Sequence, residues 1–420
     1  MDTTGTKTNS LQSASGHSSD ISPMQRKLQV SKNYYIYLVL ILVLLSAQGS
    51  FVNDMYSPAL PGMCKFFGCT VSLSQLGLTM GMIGLGIGQM LLGPISDKYG
   101  RKPVLIGATL LFIVAAVVSI FSPNIHVFNL CRLFQGLGAS AGYFLAKTIP
   151  ADVYSGRQLA KLMALVGAIN GFAPASSPVI GGIMADNFGW KSIFLVLAGF
   201  ATLLVLMSLM MKESLAPARR HAGSLLKSFG GYSVLLRNRH FMTHVILKAA
   251  ALGLLFAYIS SSPFIIQTHY GFSQTQYGLL IGLNALFLAA GSMVSLKFRP
   301  YKKAAFIGAI IAAAGVAALT ASLYAIHNLW IYDICYIVIL FACGMIFATS
   351  NPLAMNEGRA QAGEAAAVIG VAGYIIGATA APLVGLGNIM HSTAIVNIVL
   401  TALLLVFAFI AKRIPADLNN

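Results

Sequence analysis

Asp54 and Arg132 fall in segments where charge is unfavourable. Asp54 closes the first long run of mostly apolar residues, and Arg132 lies within the fourth. A carboxyl held away from bulk water can take up and release a proton. A guanidinium among apolar residues must turn toward protein or an aqueous cavity. Gln135, Tyr143, Phe144 and Lys147 follow Arg132 in the same run, and a later run carries Tyr258 and Phe264. At 100° per residue, Arg132, Gln135 and Tyr143 share one helical face. Aromatic walls with few polar anchors suit varied apolar ligands, so these six residues are the candidate substrate cavity. Lys147 lies about 22 Å along the helix from Arg132 and is expected to face the inner half of that cavity or to anchor at the inner interface. The eight His residues show no metal-ligand spacing, and no nucleophile–base cluster stands out. The chemistry on offer is binding and proton transfer, with no enzyme site, cofactor or metal implied.

The elements that must position these groups follow from composition. Hydrophobic residues make up 57% of the 420, charged residues only 9%, and mean hydropathy is +0.78. An ordinary globular chain is about 25% charged, so this one is read as an integral membrane protein. Its apolar runs do not alternate with polar residues, which excludes an outer-membrane barrel. A membrane-spanning helix needs about 20 apolar residues. Twelve runs qualify: 34–56, 73–93, 104–122, 126–150, 160–184, 189–211, 241–266, 275–296, 304–326, 329–355, 364–386 and 392–411. Residues 1–33 form a polar tail expected to be disordered, without a signal-peptide pattern. A basic segment, 212–240, separates an N-terminal bundle (34–211) from a C-terminal one (241–411), and 412–420 form a second tail.

The net charge of +16 sits where a membrane explains it. Of 27 Lys and Arg, 22 fall in the tails and alternate links, two in the opposite links (Lys65 and Lys191) and three inside runs. Positive residues concentrate on the cytoplasmic side, so both termini are expected inside and nucleic-acid binding is unnecessary. The three inside are Arg132, Lys147 and Lys248. Lys248 and the acidic Asp333 sit near run ends, where snorkelling to the interface is the simpler expectation.

Several motifs occupy these elements. The second link reads Gly93-Pro94-Ile95-Ser96-Asp97-Lys98-Tyr99-Gly100-Arg101-Lys102-Pro103. Gly permits a tight turn, Asp97 can charge a helix end, and Arg101 and Lys102 supply mobile cations. This link resembles the loop signature of the major facilitator superfamily, G-x-x-x-D-x-x-G-R-K. The corresponding link of the second half, Lys297 to Lys303, looks like a degraded copy, as an internal duplication would leave. The run from Arg132 to Ala139 is similar to the superfamily's R-x-x-x-G-x-G pattern, which implies an arginine facing the transport cavity. Gly136 to Ala141 also fits a nucleotide fingerprint, a spurious match because no strand precedes it. The fifth run carries Pro174, Pro178, Gly181 and Gly182, similar to the Pro/Gly motif of proton-coupled exporters, with Ser177 where Gly is usual. Asn53 to Pro61 resembles the D-x-Y-x-P-A-L-P signature of the Bcr/CflA drug:proton antiporters. Further similarities lie at 189–194, 258–264 and 362–370.

The resemblance implies an all-α membrane protein of twelve transmembrane helices in two six-helix bundles, the major facilitator fold. It implies a monomeric secondary transporter in a bacterial inner membrane that exports small, largely apolar compounds in exchange for protons by alternating access. Asp54 and Arg132 would then couple protons, possible through direct contact since they lie at similar depth. Asp97, Arg101, Gly93 and Gly100 would gate the inner side. Alternatives are export of one metabolite, such as a sugar, amino acid or siderophore, and facilitation without protons. Cys64 and Cys69 share an outer link and could be a disulfide or two free thiols.

Overall fold

A computed structural model describes residues 32–220 and 230–414. The expected disordered tail lies almost wholly outside the described residues, as do 221–229 and the last six residues. Within them stand twelve long helices. The first half holds α1 (Lys32–Asp54), α2 (Val71–Tyr99), α3 (Arg101–Ile120), α4 (Ile125–Val153), α5 (Gly156–Phe188) and α6 (Trp190–Met210). The second half holds α7 (Arg239–Pro263), α8 (Gln274–Ser295), α9 (Tyr301–Ala321), α10 (Leu329–Glu357), α11 (Ala362–Leu383) and α12 (Ile389–Arg413). Eleven of them are long and apolar enough to cross a membrane; α4, with its Arg, Asn, Gln and Gly, is the exception. Large apolar side chains such as Val114, Leu195 and Met293 are exposed around the outside, as lipid contact requires.

Short polar residues start these helices. Asn124, Asn238, Asn328 and Asn388 each accept backbone N–H groups of the first turn of α4, α7, α10 and α12, satisfying donors that otherwise lack partners. Ser273 and Gln276 form a reciprocal capping box on α8. Capping carries several helices past their apolar runs. α2 continues through Pro94 to Tyr99, and α5 extends for 33 residues against the 160–184 expected from hydropathy. A shorter segment departs from expectation. The first run was expected to reach residue 56, but α1 ends at Asp54. A 3-10 turn at Ser57–Ala59 and a short helix, Leu60–Phe67, follow. Cys64 and Cys69 are free thiols here, and Cys64 Sγ donates to the Cys69 carbonyl at 2.8 Å.

Each half is built around a buried core, and that of the first half also takes in Phe256, Phe264, Ala378 and Ala381 of the second. Leu254, Tyr258, Tyr332 and Ile339 anchor that of the second half. Tyr56, Phe112, Phe128 and Phe194 anchor that of the first. The halves meet along α2 with α11 and α5 with α8, and α1, α4, α7 and α10 enclose the space between them. The basic links lie at one end of the molecule, called here the basic end.

Candidate functional site

The space between the halves holds two neighbouring cavities, described here as two parts of one cleft. The deeper part, about 500 Å³, is lined by Asp54, Ser57, Pro174, Pro178, Phe256 and Tyr258 among others. The part nearer the basic end, about 850 Å³, is lined by Asp97, Arg101, Phe144, Lys147, Tyr232 and Glu364 among others. Tyr143 borders both and joins them. Of the sequence-predicted cavity residues, Tyr143, Phe144, Lys147 and Tyr258 therefore line the cleft. Phe264 does not: it follows Pro263 into a π-helical turn and packs with Met55, Tyr56 and Leu60 in the first half's core. Gln135 is fully buried beneath the wall, donating to Ser119 Oγ at 3.0 Å.

Asp54 and Arg132 do not meet. One residue along a helix turns the side chain by 100°. Both residues border the deeper part of the cleft, but only Asn53 turns its side-chain oxygen toward Arg132. Arg132 is fully buried and donates to Asn53 Oδ1 at 3.2 Å, to the Val52 carbonyl and to Gln135 Oε1. Its guanidinium carbon lies 4.2 Å from the centre of the Tyr56 ring and 5.9 Å from that of Phe194. Neutral acceptors and aromatic faces thus hold this cation with no carboxylate beside it. The expectation that Arg132 contacts Asp54, or opens onto the cavity, is corrected: packing of α4 against α1 and α2 closes over it. Tyr56 of the Asp54–Pro61 motif is explained by the same contact. Asp54 is the one acidic residue lining the deeper part, and its carboxylate has no cation within ion-pair distance among the described residues.

At the basic end, Arg101 organises the first half. Its guanidinium pairs with Asp97 at 2.5 Å and Asp152 at 2.9 Å and donates to Ser96 Oγ at 2.7 Å, joining α2, α3 and α4. Glu213, just after α6, accepts the Arg101 and Lys102 backbone N–H groups at 2.9 and 3.2 Å and so caps α3. Gly100 between these helices has φ +104°, and a Cβ there would lie 2.5 Å from Glu213 Oε2. Gly is required on both counts. Gly93 lies one turn before Asp97 on the cleft wall, against Phe144. In the degraded second-half copy, Lys302 Nζ donates to the Ile414 carbonyl at 3.1 Å.

The other end is closed, and hydropathy gave no sign of how. Gln75 Nε2 donates to the Ser260 carbonyl at 2.9 Å, Thr79 Oγ1 to that of Ala378 at 2.7 Å, Ser72 Oγ to that of Pro382 at 2.9 Å and Gln267 Nε2 to that of Pro58 at 2.8 Å. Asp186 at the end of α5 accepts the Gln274 and Thr275 backbone N–H groups, capping α8 of the other half. Along α5 and α8 the backbones almost touch. A Cβ on Gly278 would lie 2.3 Å from the Pro178 carbonyl oxygen, and one on Gly182 the same distance from that of Gln274. Gly181 packs equally closely on Met55, so this motif lets α5 approach both α1 and α8 while Pro174 and Pro178 face the cleft. A further buried network was missed. Asn284 Nδ2 donates to Tyr258 Oη at 2.7 Å and Asp333 Oδ1 at 2.6 Å, and Tyr258 stacks on Tyr336 at 4.2 Å. Asp333, expected to snorkel, is 4% exposed.

Comparison with known proteins agrees with this architecture. The chain matches the family model of the Major Facilitator Superfamily over residues 39–382. It is 33% identical over 374 residues to the uncharacterized MFS-type transporter YdgK of Bacillus subtilis (strain 168), covering 86% of this chain and 93% of that one. It is 26% identical over 372 residues to multidrug resistance protein MdtL of Escherichia coli O81 (strain ED1a), with the same coverage. Among solved structures, a bacterial homologue of the human lysosomal transporter Spinster, inward-facing and occupied, superposes with a TM-score of 0.71 at 15% identity. That match covers 91% of this chain and 98% of the other. The D-xylose–proton symporter gives 0.68 at 16% identity with the same coverage. Twelve helices in two bundles around a shared cleft, with a family match spanning both, place this chain in the Major Facilitator Superfamily.

Proposed function

We propose that the protein exports small, largely apolar compounds in exchange for protons by alternating access. In this reading it works as a monomer in a bacterial inner membrane with both termini in the cytoplasm. The observation that carries the reading is Asp54: the one carboxylate lining a largely apolar compartment between the halves, without a cationic partner among the described residues. The positive-inside distribution makes the basic end cytoplasmic, so the cleft described above is the inward-open state. The likeness to a multidrug resistance protein supports an apolar substrate range.

In the proposed cycle Asp54 releases its proton toward the basic end and substrate enters the vacated apolar compartment. The basic end then closes and the opposite seal parts. Asp54 takes a proton from outside, and substrate leaves. Arg132 serves this step indirectly, by fixing α4 on α1 through Val52 and Asn53 beside Asp54. Asp97 faces the same cavity as Gly363 and Glu364 in the first turn of α11. On closure its carboxylate would approach that helix N-terminus, where backbone N–H groups favour negative charge.

Everted membrane vesicles given an inward-acid gradient test this reading. A panel of apolar fluorescent compounds should accumulate only with the gradient, and substrate should dissipate it. Asp54→Asn should abolish gradient-driven accumulation and leave ligand binding measurable. Gradient-independent equilibration by the wild type would instead identify a facilitator.

A further inference from the structure

Two lysines, one from each half, stand on helices that border the cleft: Lys147 and Lys248. Lys147 on α4 lines the basic-end compartment, one turn beyond Tyr143. Lys248 on α7 lies one and two turns before Leu252 and Leu255, both on the cavity wall, so helical periodicity puts it on the same face. Lys147 lines the basic-end compartment from the first half, and Lys248 lies on the basic-end side of the wall residue Leu252 in the second. Neither has a carboxylate within ion-pair distance among the described residues. Their neighbours are neutral. Lys147 Nζ lies 3.9 Å over the centre of the Tyr143 ring, and Lys248 Nζ donates to Asn351 Oδ1 at 2.8 Å. Asn351 stands one turn from Phe347, another wall residue. The other charged groups of this compartment are Asp97 with its partner Arg101, and Glu364 beside Tyr232.

Lys147 lines the compartment wall, and the face of α7 that carries Lys248 also carries the wall residues Leu252 and Leu255, which sets this pair apart from lysines anchored at the lipid interface. Like charges brought together in a partly enclosed space repel unless an anion sits between them. The Asn351 amide, oriented by accepting from Lys248, keeps its N–H groups free to donate. We infer that Lys147, Lys248 and Asn351 form an anion site shared by the two halves, which binds the single negative group of an organic acid whose apolar body fills the compartment below Asp54. Such an anion attracts both halves at once and so favours closure of the basic end around it. The inference narrows the substrate class of the exporter proposed above and rests on that reading for its transport role.

The test uses the full chain purified in detergent, with equilibrium dialysis of radiolabelled 1-naphthoate, 1-naphthamide and 1-naphthylmethylammonium, corrected for empty micelles. The acid should bind about tenfold or more tightly than the amide, and the cation least. Lys147→Met and Lys248→Met should each reduce that preference about tenfold, and Lys→Arg at either position should keep it. Equal or tighter binding of the amide or the cation to the wild type overturns the site, whatever the variants do. A preference for the acid that survives both Met substitutions overturns it too. Proton-driven export of the neutral probe without any acid preference would sink the anion site and leave the exporter intact. Lysine-dependent naphthoate binding without gradient-driven movement of any probe would do the reverse.

Discussion

At the closed end the halves touch through side-chain amides and hydroxyls on backbone carbonyls, through the Asp186 carboxylate on two backbone N–H groups, and through glycine contacts between α5 and α8. At the basic end the strongest interactions, those of Arg101 with Asp97, Asp152 and Ser96, remain within the first half. The difference bears on how a transporter can cycle. A neutral hydrogen bond contributes about 1 kcal/mol net, and water replaces it readily when a gap opens. Breaking a buried ion pair between halves would require several kcal/mol on every turnover. Charge that stays inside one rigid body is spared that. In the proposed cycle the end that would part is sealed by exchangeable hydrogen bonds, and ion pairs stiffen the first half.

Gly278→Leu should affect this balance most. Its side chain cannot fit against the Pro178 carbonyl, so the seal cannot close. Transport should fall about 100-fold with folding retained, because overpacking of 1–3 kcal/mol falls on one state alone. Distance measurements between spin labels on α5 and α8 should show the far end open; an unchanged distance would contradict the assigned seal. Arg101→Ala comes next. Its guanidinium is 6% exposed, so removal leaves Asp152 unpaired and should destabilise the first half by about 3 kcal/mol. A thermal transition within a degree of wild type would show that the cluster does not brace the half. Asp186→Asn should act more weakly, since the carboxylate is exposed. Loss of at most about 1 kcal/mol should raise thiol accessibility in the deep compartment about fivefold, with stability nearly unchanged. Asp97→Asn should change stability least, by about 0.5 kcal/mol, because that pair is half-exposed and within one turn. A transport defect larger than this would separate gating from bracing.

The sequence made the twelve helices and the superfamily visible because lipid imposes a length and an apolar composition on every spanning segment. Positions along each helix were accessible in the same way, which is why Tyr143, Phe144, Lys147 and Tyr258 fall on one cleft. Rotation about the helix axis was harder. Asn53 and Asp54 are equally polar neighbours, and only the packing of α4 on α1 decides which of them receives Arg132. The Asp186 cap, the Glu213 cap and the Asp333–Asn284 network join residues 88, 112 and 49 positions apart. No local pattern records those pairings. Asp333 was misjudged because nearness to a helix end was taken for nearness to water, whereas α8 supplies a partner that keeps it buried. Phe264 was misplaced because Pro263 converts the end of α7 to a wider turn and swings the ring out of the cleft wall.

The polar character of α4 bears on how the chain is made. A segment carrying Asn129, Arg132 and Gln135 gains too little from lipid to leave the translocon by itself. The groups that accept its guanidinium, at Val52 and Asn53, and the ring that covers it, at Tyr56, belong to a part of the chain synthesised earlier. The first helices therefore act as a receptor for the fourth during biogenesis. Substitutions at Asn53 or Tyr56 should register as failed membrane integration and proteolysis before they register as altered export.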